Sequence, residues 1–165
     1  MITAAALTFG ASFALADAND AWLTTKAKIA LLSTDDVSAT AVNVDTKDGH
    51  VTIHGKVETE AEKGRAEAAV RKIDGVKDVK NLLQVVREAE KKRVDATDER
   101  IEDSVEAAFK ADPSVDGIKV SSVNKGVVLL SGNAKDLNAK LKALELAWAT
   151  PGVRKVSSEM QTKER

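Results

Sequence analysis

The sequence predicts an α+β fold built from two tandem α-β-β-α-β units, each a small three-stranded mixed sheet with two helices on one face. Three observations predict it. The segment Gly49–Val57, Gly-His-Val-Thr-Ile-His-Gly-Lys-Val, recurs 77 residues on as Gly126–Ala134, Gly-Val-Val-Leu-Leu-Ser-Gly-Asn-Ala. The same offset carries Gly75-Val76 onto Gly152-Val153 and Val79 onto Val156. Upstream, an offset of 76 takes Ile29 onto Val105, Val42 onto Ile118 and Val44 onto Val120, which places one extra residue in the loop before Gly126. The units are expected at 17–86 and 98–162, joined by a charged linker at 87–97 and followed by a tail at 163–165.

Each element follows from local chemistry. In the second unit Thr97 or Asp98 is placed to cap a helix whose apolar residues Ile101, Val105, Ala108 and Phe109 share one face. Asp112-Pro113 ends it, because proline disfavours helical geometry in the residue before it. Ile118-Lys-Val120 alternates as a strand, Val127–Leu130 is the return strand, and Lys125-Gly126 supplies the hairpin turn, as Asp48-Gly49 does in unit one. A second helix is expected from about Lys135 to Thr150, stopped by Pro151-Gly152, with a third strand from Val153. The crossover into that strand is expected to be right-handed. Gly49, Gly55, Gly75, Gly126, Gly132 and Gly152 are read as structural, with Gly55 and Gly132 just past a strand, at a bend or close backbone approach.

Composition narrows the function. Lys+Arg 25 against Asp+Glu 26 leaves a net charge of −1, which argues against a nucleic-acid binder. Aromatics are 3% with no Tyr, too few for a base-stacking surface. Absence of cysteine excludes disulfides, thiolate metal sites and cysteine nucleophiles. His50 and His54 lie on one strand about 13 Å apart at roughly 3.3 Å per residue, too far to share a metal, and read as solvated residues of the outer sheet face. Asp35-Asp36 and Asp45-x-x-Asp48-Gly49 lack calcium-loop spacing and read as turn and capping residues. No catalytic residue, metal site or cofactor is expected.

Residues 1–16 carry no charge, are too short to span a bilayer, and end in Ala14-Leu15-Ala16 before Asp17. They read as the apolar core and cleavage site of a secretory signal peptide lacking its basic start, or as an Ala-rich N-terminal helix. The first reading makes 17–165 an exported chain with no transmembrane segment.

The pattern Gly-x-Val-x-Ile-x-Gly-x-Val at 49–57, the helix after it, and Gly75-Val-x-x-Val79-x-Asn81-x-Leu83 resemble a BON domain. Unit two departs at Ser158 and Met160, where unit one has Asn81 and Leu83. Two such domains behind a signal peptide resemble the osmotically inducible periplasmic proteins of Gram-negative bacteria. The resemblance implies a non-enzymatic, periplasmic envelope protein of osmotic stress, peripheral to phospholipid surfaces. A protein-interaction or chaperone-like adaptor is the rival, and the oligomeric state is open.

The second helices differ between the units. Their shared inner face is Ala66, Ala69, Val70 and Ile73 in one, and Ala143, Leu146, Ala147 and Thr150 in the other. Unit two adds Leu137, Leu141, Leu144 and Trp148, within roughly 60° of arc at about 100° per residue. Their counterparts are the polar set Glu60, Gly64, Glu67 and Arg71. This stripe, with Lys140, Arg154 and Lys155 as cations for anionic headgroups, is the candidate lipid- or partner-binding surface. The alternative is that the stripe docks against unit one. Val127 and Leu129, opposite His50 and Thr52 in the alignment, also offer an apolar outer sheet face for docking.

Overall fold

The apolar alternation around Gly49 and Gly126 folds into the central strand of each of two sheets. The computed structural model describes residues 12–162, with side chains from residue 19. Unit one comprises α1 (Ser12–Leu32), a 3-10 turn (Ala39–Ala41), β1 (Val42–Lys47), β2 (His50–Val57), α2 (Glu60–Arg71), β3 (Asp78–Asn81) and β4 (Gln84–Val85). Unit two repeats the order as α3 (Glu88–Ala111), a 3-10 turn (Pro113–Val115), β5 (Ile118–Asn124), β6 (Val127–Ala134), α4 (Leu137–Ala149), β7 (Lys155–Ser158) and β8 (Gln161–Thr162). In each sheet the central strand, β2 or β6, pairs antiparallel with its hairpin partner along one edge. Along its other edge it pairs parallel with two short strands in line. The expected third strand is therefore present in two pieces, making each sheet four-stranded. The expected tail, 163–165, lies outside the described residues. So does the expected signal peptide, except that 12–16 begin α1, which runs unbroken across Ala16-Asp17.

Each unit has its own core between helices and sheet. Ala27, Leu31, Val51, Ile53, Ala66 and Val70 are central in the first, and Val105, Val128, Leu130, Ala143 and Ala147 in the second. The helix packing corrects the sequence alignment. Leu23 lies against Gly75 as Ile101 lies against Gly152, and buried Ala27 corresponds to buried Val105, so the first helices align at an offset of 78. Ile29, matched to Val105 by the offset of 76, is exposed. Periodicity alone permitted the slip, because the connection from helix to strand is two residues longer in unit one. The extra residue of unit two also moves: it is a β-bulge inside β5 between Val120 and Ser122, while both hairpin turns keep two residues.

Asp98 does not cap a helix. The charged segment is helical from Glu88 onward, and α3 runs through it without interruption. Asp98 sits mid-helix, facing the sheet, where its carboxylate accepts from the backbone N–H groups of Lys125 (2.8 Å) and Gly126 (2.9 Å). Asp20 does the same for Asp48 (2.6 Å) and Gly49 (2.9 Å). Both turns place two successive residues at positive φ, Asp48-Gly49 and Lys125-Gly126, as a type I′ turn requires. Such a turn aims its amides outward, and a carboxylate arriving from the first helix receives two of them.

The units meet through their outer sheet faces. Both edges of β2 are paired, so β5, which lies against it, can reach it only across the face away from the helices. Thr52, His54, Val127 and Leu129 on these faces are buried, yet belong to neither unit's own core. His54, expected to be solvated, is 5% exposed, because the second unit covers the face it stands on. Lys56 at the end of β2 ties the units, reaching Asp95 (2.6 Å) and Asp98 (2.7 Å) of α3. Burial opposes its charge, but the two carboxylates outweigh this and hold the ammonium above the ordinary lysine value. Lys125 Nζ returns the contact by donating to the Val85 carbonyl (2.9 Å).

Gly55 and Gly132 lie within β2 and β6 rather than past them, at φ 136° and 108°. A Cβ on either would fall on a carbonyl oxygen, of Ala41 or Gly117, so Gly55→Val and Gly132→Val should each cost about 1–3 kcal/mol or more in thermal melts. Asp20→Ala, which orphans two turn amides, should cost about 1–3 kcal/mol. Asp98→Ala also removes a partner of the largely buried Lys56 and should cost more, about 3 kcal/mol or above, in urea unfolding.

Candidate functional site: an exposed apolar face on the second unit

Helix α4 begins where Asp136 caps it, its carboxylate accepting from the Ala139 amide at 2.8 Å. Ala139, Ala143 and Ala147, four residues apart, are the buried row, and these small side chains bring the helix close to its sheet. The helix packs chiefly on α3, the 3-10 turn, β6 and β7, all of its own unit. The opposite side is left uncovered. Leu137 is 63% exposed, Leu141 55% and Trp148 54%. Leu144, on the flank nearest the alanine row, is half-buried against the core. The stripe is therefore three exposed side chains and a fourth anchored beneath them. The inter-unit contact uses the sheet faces instead.

The cations expected beside the stripe are placed unequally. Lys140 is half-buried and donates to the Met160 carbonyl at 3.0 Å. Lys155 is exposed at the start of β7. Arg154 lies over the second hairpin turn, donating to the Lys125 carbonyl at 3.3 Å. On α2 the corresponding face is polar, with Glu67 paired to Arg71, and the inner row carries Glu62 where α4 has Ala139. Thr59 caps the helix and Glu62, deeply buried, takes the amides of Ser38 (2.7 Å) and Glu58 (2.8 Å). Burial opposes its charge, but these donors hold its carboxyl below the ordinary value. Glu67 and Asn81 join α2 to β3.

Sequence reasoning missed two features. The first is an apolar set on α1, Trp22, Ile29 and Leu32, all exposed. Its counterparts at the corrected offset are Arg100, Ala107 and Lys110. The seven-residue spacing of Trp22 and Ile29 was the available signal. The second is the pair His54–Asp45, joined Nε2 to Oδ2 at 3.0 Å beneath unit two. The hydrogen bond from His54 holds the Asp45 carboxyl below its ordinary value of 3.8. His54 Nδ1 and Ser131 Oγ, at equivalent positions of the two central strands, are buried without protein partners. A polar cleft of about 570 Å³ between the units is bordered by Asp45, Lys47, Lys119 and Ser131.

Comparison with known proteins places these elements in context. A BON-domain profile matches residues 19–87 and 97–164. Osmotically-inducible protein Y of Escherichia coli K12 is 32% identical over 149 residues, covering 88% of this chain and 73% of its own. Among solved structures, two of CdsD, a structural protein of the type III secretion system of Chlamydia trachomatis, align over 86% of this chain. They do so at 14% and 15% identity, with TM-scores of 0.35 and 0.34, and the chain spans 64% and 61% of their lengths.

Because its folded-state pKa is depressed, Asp45 contributes stability that is full above the ordinary value of 3.8 and is lost as pH falls through the folded value. In His54→Ala the Asp45 titration, followed by carboxyl-carbon NMR, should move up toward 3.8, and this part of the acid sensitivity should disappear.

Proposed function

The chain belongs to the BON-domain family, and from that premise we propose that it is a non-enzymatic periplasmic protein of osmotic stress that binds phospholipid surfaces through its second domain. The observation that carries the binding reading is the exposed row Leu137, Leu141 and Trp148 on a helix whose counterpart in unit one is polar. A solitary exposed leucine is ordinary, whereas an aligned apolar row on one of two copies of a scaffold marks an interaction surface. Trp148, near the helix end, suits the headgroup level of a bilayer, where an indole is apolar in body and polar at one edge. Full burial of each side chain is worth about 1.5–3 kcal/mol, enough in sum for weak peripheral attachment after ordering costs. Among the described residues no helix is long and apolar enough to cross a membrane. The periplasmic location is supported by the uncharged 1–16 segment ending Ala14-Leu15-Ala16, and the stress role by the similarity to osmotically-inducible protein Y.

The rival reading, an adaptor for envelope proteins, is favoured by the second apolar set on α1, since two separate surfaces suit bridging between partners. Vesicle co-sedimentation decides between them. The pair Leu141→Glu and Trp148→Arg replaces residues whose unit-one counterparts are Gly64 and Arg71. It should abolish vesicle binding while moving stability by no more than about 0.5 kcal/mol per site, the range for surface substitutions. Absence of vesicle binding by the unaltered protein, together with self-association or capture of a defined envelope protein, would overturn the lipid reading in favour of the adaptor.

A further inference from the structure

The two units carry their helices on opposite outer sides of the molecule. Their sheets meet in the middle, with Thr52, His54, Val127 and Leu129 buried on the facing sides, and each pair of helices covers the far side of its own sheet. Helix α1 packs chiefly on β1, α2 and the first 3-10 turn, and α4 on unit two. The free face of α1 therefore cannot reach the free face of α4 within one chain.

Both free faces are apolar, and each has one fully exposed charge. Beyond Asn19 the exposed residues of α1 are Ala21, Trp22, Thr25, Lys28, Ile29 and Leu32. Those of α4 are Leu137, Asn138, Leu141, Glu145, Trp148 and Ala149. Each face runs for about three turns of helix. Among the described residues Lys28 forms no ion pair, and Glu145 pairs only with Lys142 of its own helix, at 3.2 Å. Lys26 adds a second cation at the margin of the α1 face, 5.8 Å from the Trp22 ring centre and donating to the Asp74 carbonyl at 3.1 Å. Each face exists in one unit only. At the places of Trp22, Ile29 and Leu32, α3 has Arg100, Ala107 and Lys110, and at those of Leu137, Leu141 and Trp148, α2 has Glu60, Gly64 and Arg71. Pairing like with like brings two lysines or two glutamates into one apolar seam, whereas α1 against α4 brings together opposite charges.

We propose that α1 of one copy docks on α4 of a second copy of this chain, as an antiparallel helix pair in which Lys28 meets Glu145. In that register Thr25 lies opposite Trp148 and Leu32 opposite Leu141, a small residue beneath the indole and leucine against leucine. Because the two faces look away from each other on one molecule, the contact is heterologous and does not close, and copies join head to tail, first unit to second. Two helical faces of this length make a contact at the small end of specific interfaces, so the assembly is weak and grows with protein concentration. This goes beyond the lipid reading: it accounts for the α1 face, which that reading leaves idle, and gives the α4 face a second occupant that a bilayer would displace.

Sedimentation equilibrium of the full chain, without lipid, tests the contact. The mass of the unaltered protein should rise with concentration past that of a dimer. Trp22→Arg with Leu32→Lys gives α1 the residues that α3 carries, and Leu141→Glu with Trp148→Arg alters α4. Each pair should weaken self-association about tenfold or more, as loss of an aromatic anchor does, with melting curves confirming the fold. Mixed in equal amounts, the two variants keep one intact face each and should form a one-to-one pair that grows no further. Independently, Lys28→Glu or Glu145→Lys alone should weaken association, and both in one chain should restore it. An unaltered protein that stays monomeric or stops at a dimer overturns the proposal. So does either face variant associating as well as the unaltered protein, a mixture that stays monomeric, or a charge-swapped chain as weak as its single variants. The assay holds no lipid, so its failure leaves the vesicle-binding reading standing, and failure of vesicle binding leaves this contact standing.

Discussion

Two carboxylates organise the molecule. Asp20 and Asp98 each rise from a first helix and take the two outward amides of a type I′ turn. Buried amides without partners are costly, so the helix cannot slide along its sheet without orphaning them. The contact fixes the position of helix against hairpin, and so the distance across which Leu23 meets Gly75 and Ile101 meets Gly152. In unit two the same carboxylate also receives Lys56 from the other sheet. One residue therefore sets both the internal geometry of a unit and its attachment to its neighbour.

Much of the fold was legible because a duplicated sequence reports its own architecture. The two-residue turns that end in Gly49 and Gly126 and the helix stop at Asp112-Pro113 appear where local chemistry put them. What failed were inferences requiring knowledge of partners across space. The register of the first helix slipped by two residues because its apolar positions tolerate more than one alignment, while the aspartates that fix it look like ordinary helix caps. His54 is buried where the sequence predicts solvation, because a strand's outer face becomes interior only when another domain arrives on it. The apolar row on α4 was visible as a pattern, but its exposure depended on which surface the domains used for each other. Val127 and Leu129 took that role, leaving the helix uncovered.

Duplication freed each copy to differ. The first unit keeps a polar second helix, locked by the buried Glu62, and is apolar on its first. The second reverses this, with alanines packing α4 so closely that its far side is available for other work. The cores are equivalent while the surfaces diverge, as expected when packing constrains one face of each element and solvent constrains the other weakly.

The uninterrupted α3 has a geometric consequence for the joint between the domains. Its 24 residues make a rod of about 36 Å at 1.5 Å per residue, whose first turns are the connector and whose remainder is part of the second fold. A connector of this kind transmits angular phase. Adding or removing one residue before Asp95 would turn everything beyond it by about 100° and advance it by about 1.5 Å, taking β5 and β6 off the face of β2. A coil of the same composition would absorb the change. The length of this segment is therefore quantised in near-whole turns, and the two domains behave as one body with a fixed dihedral relation rather than as beads on a string.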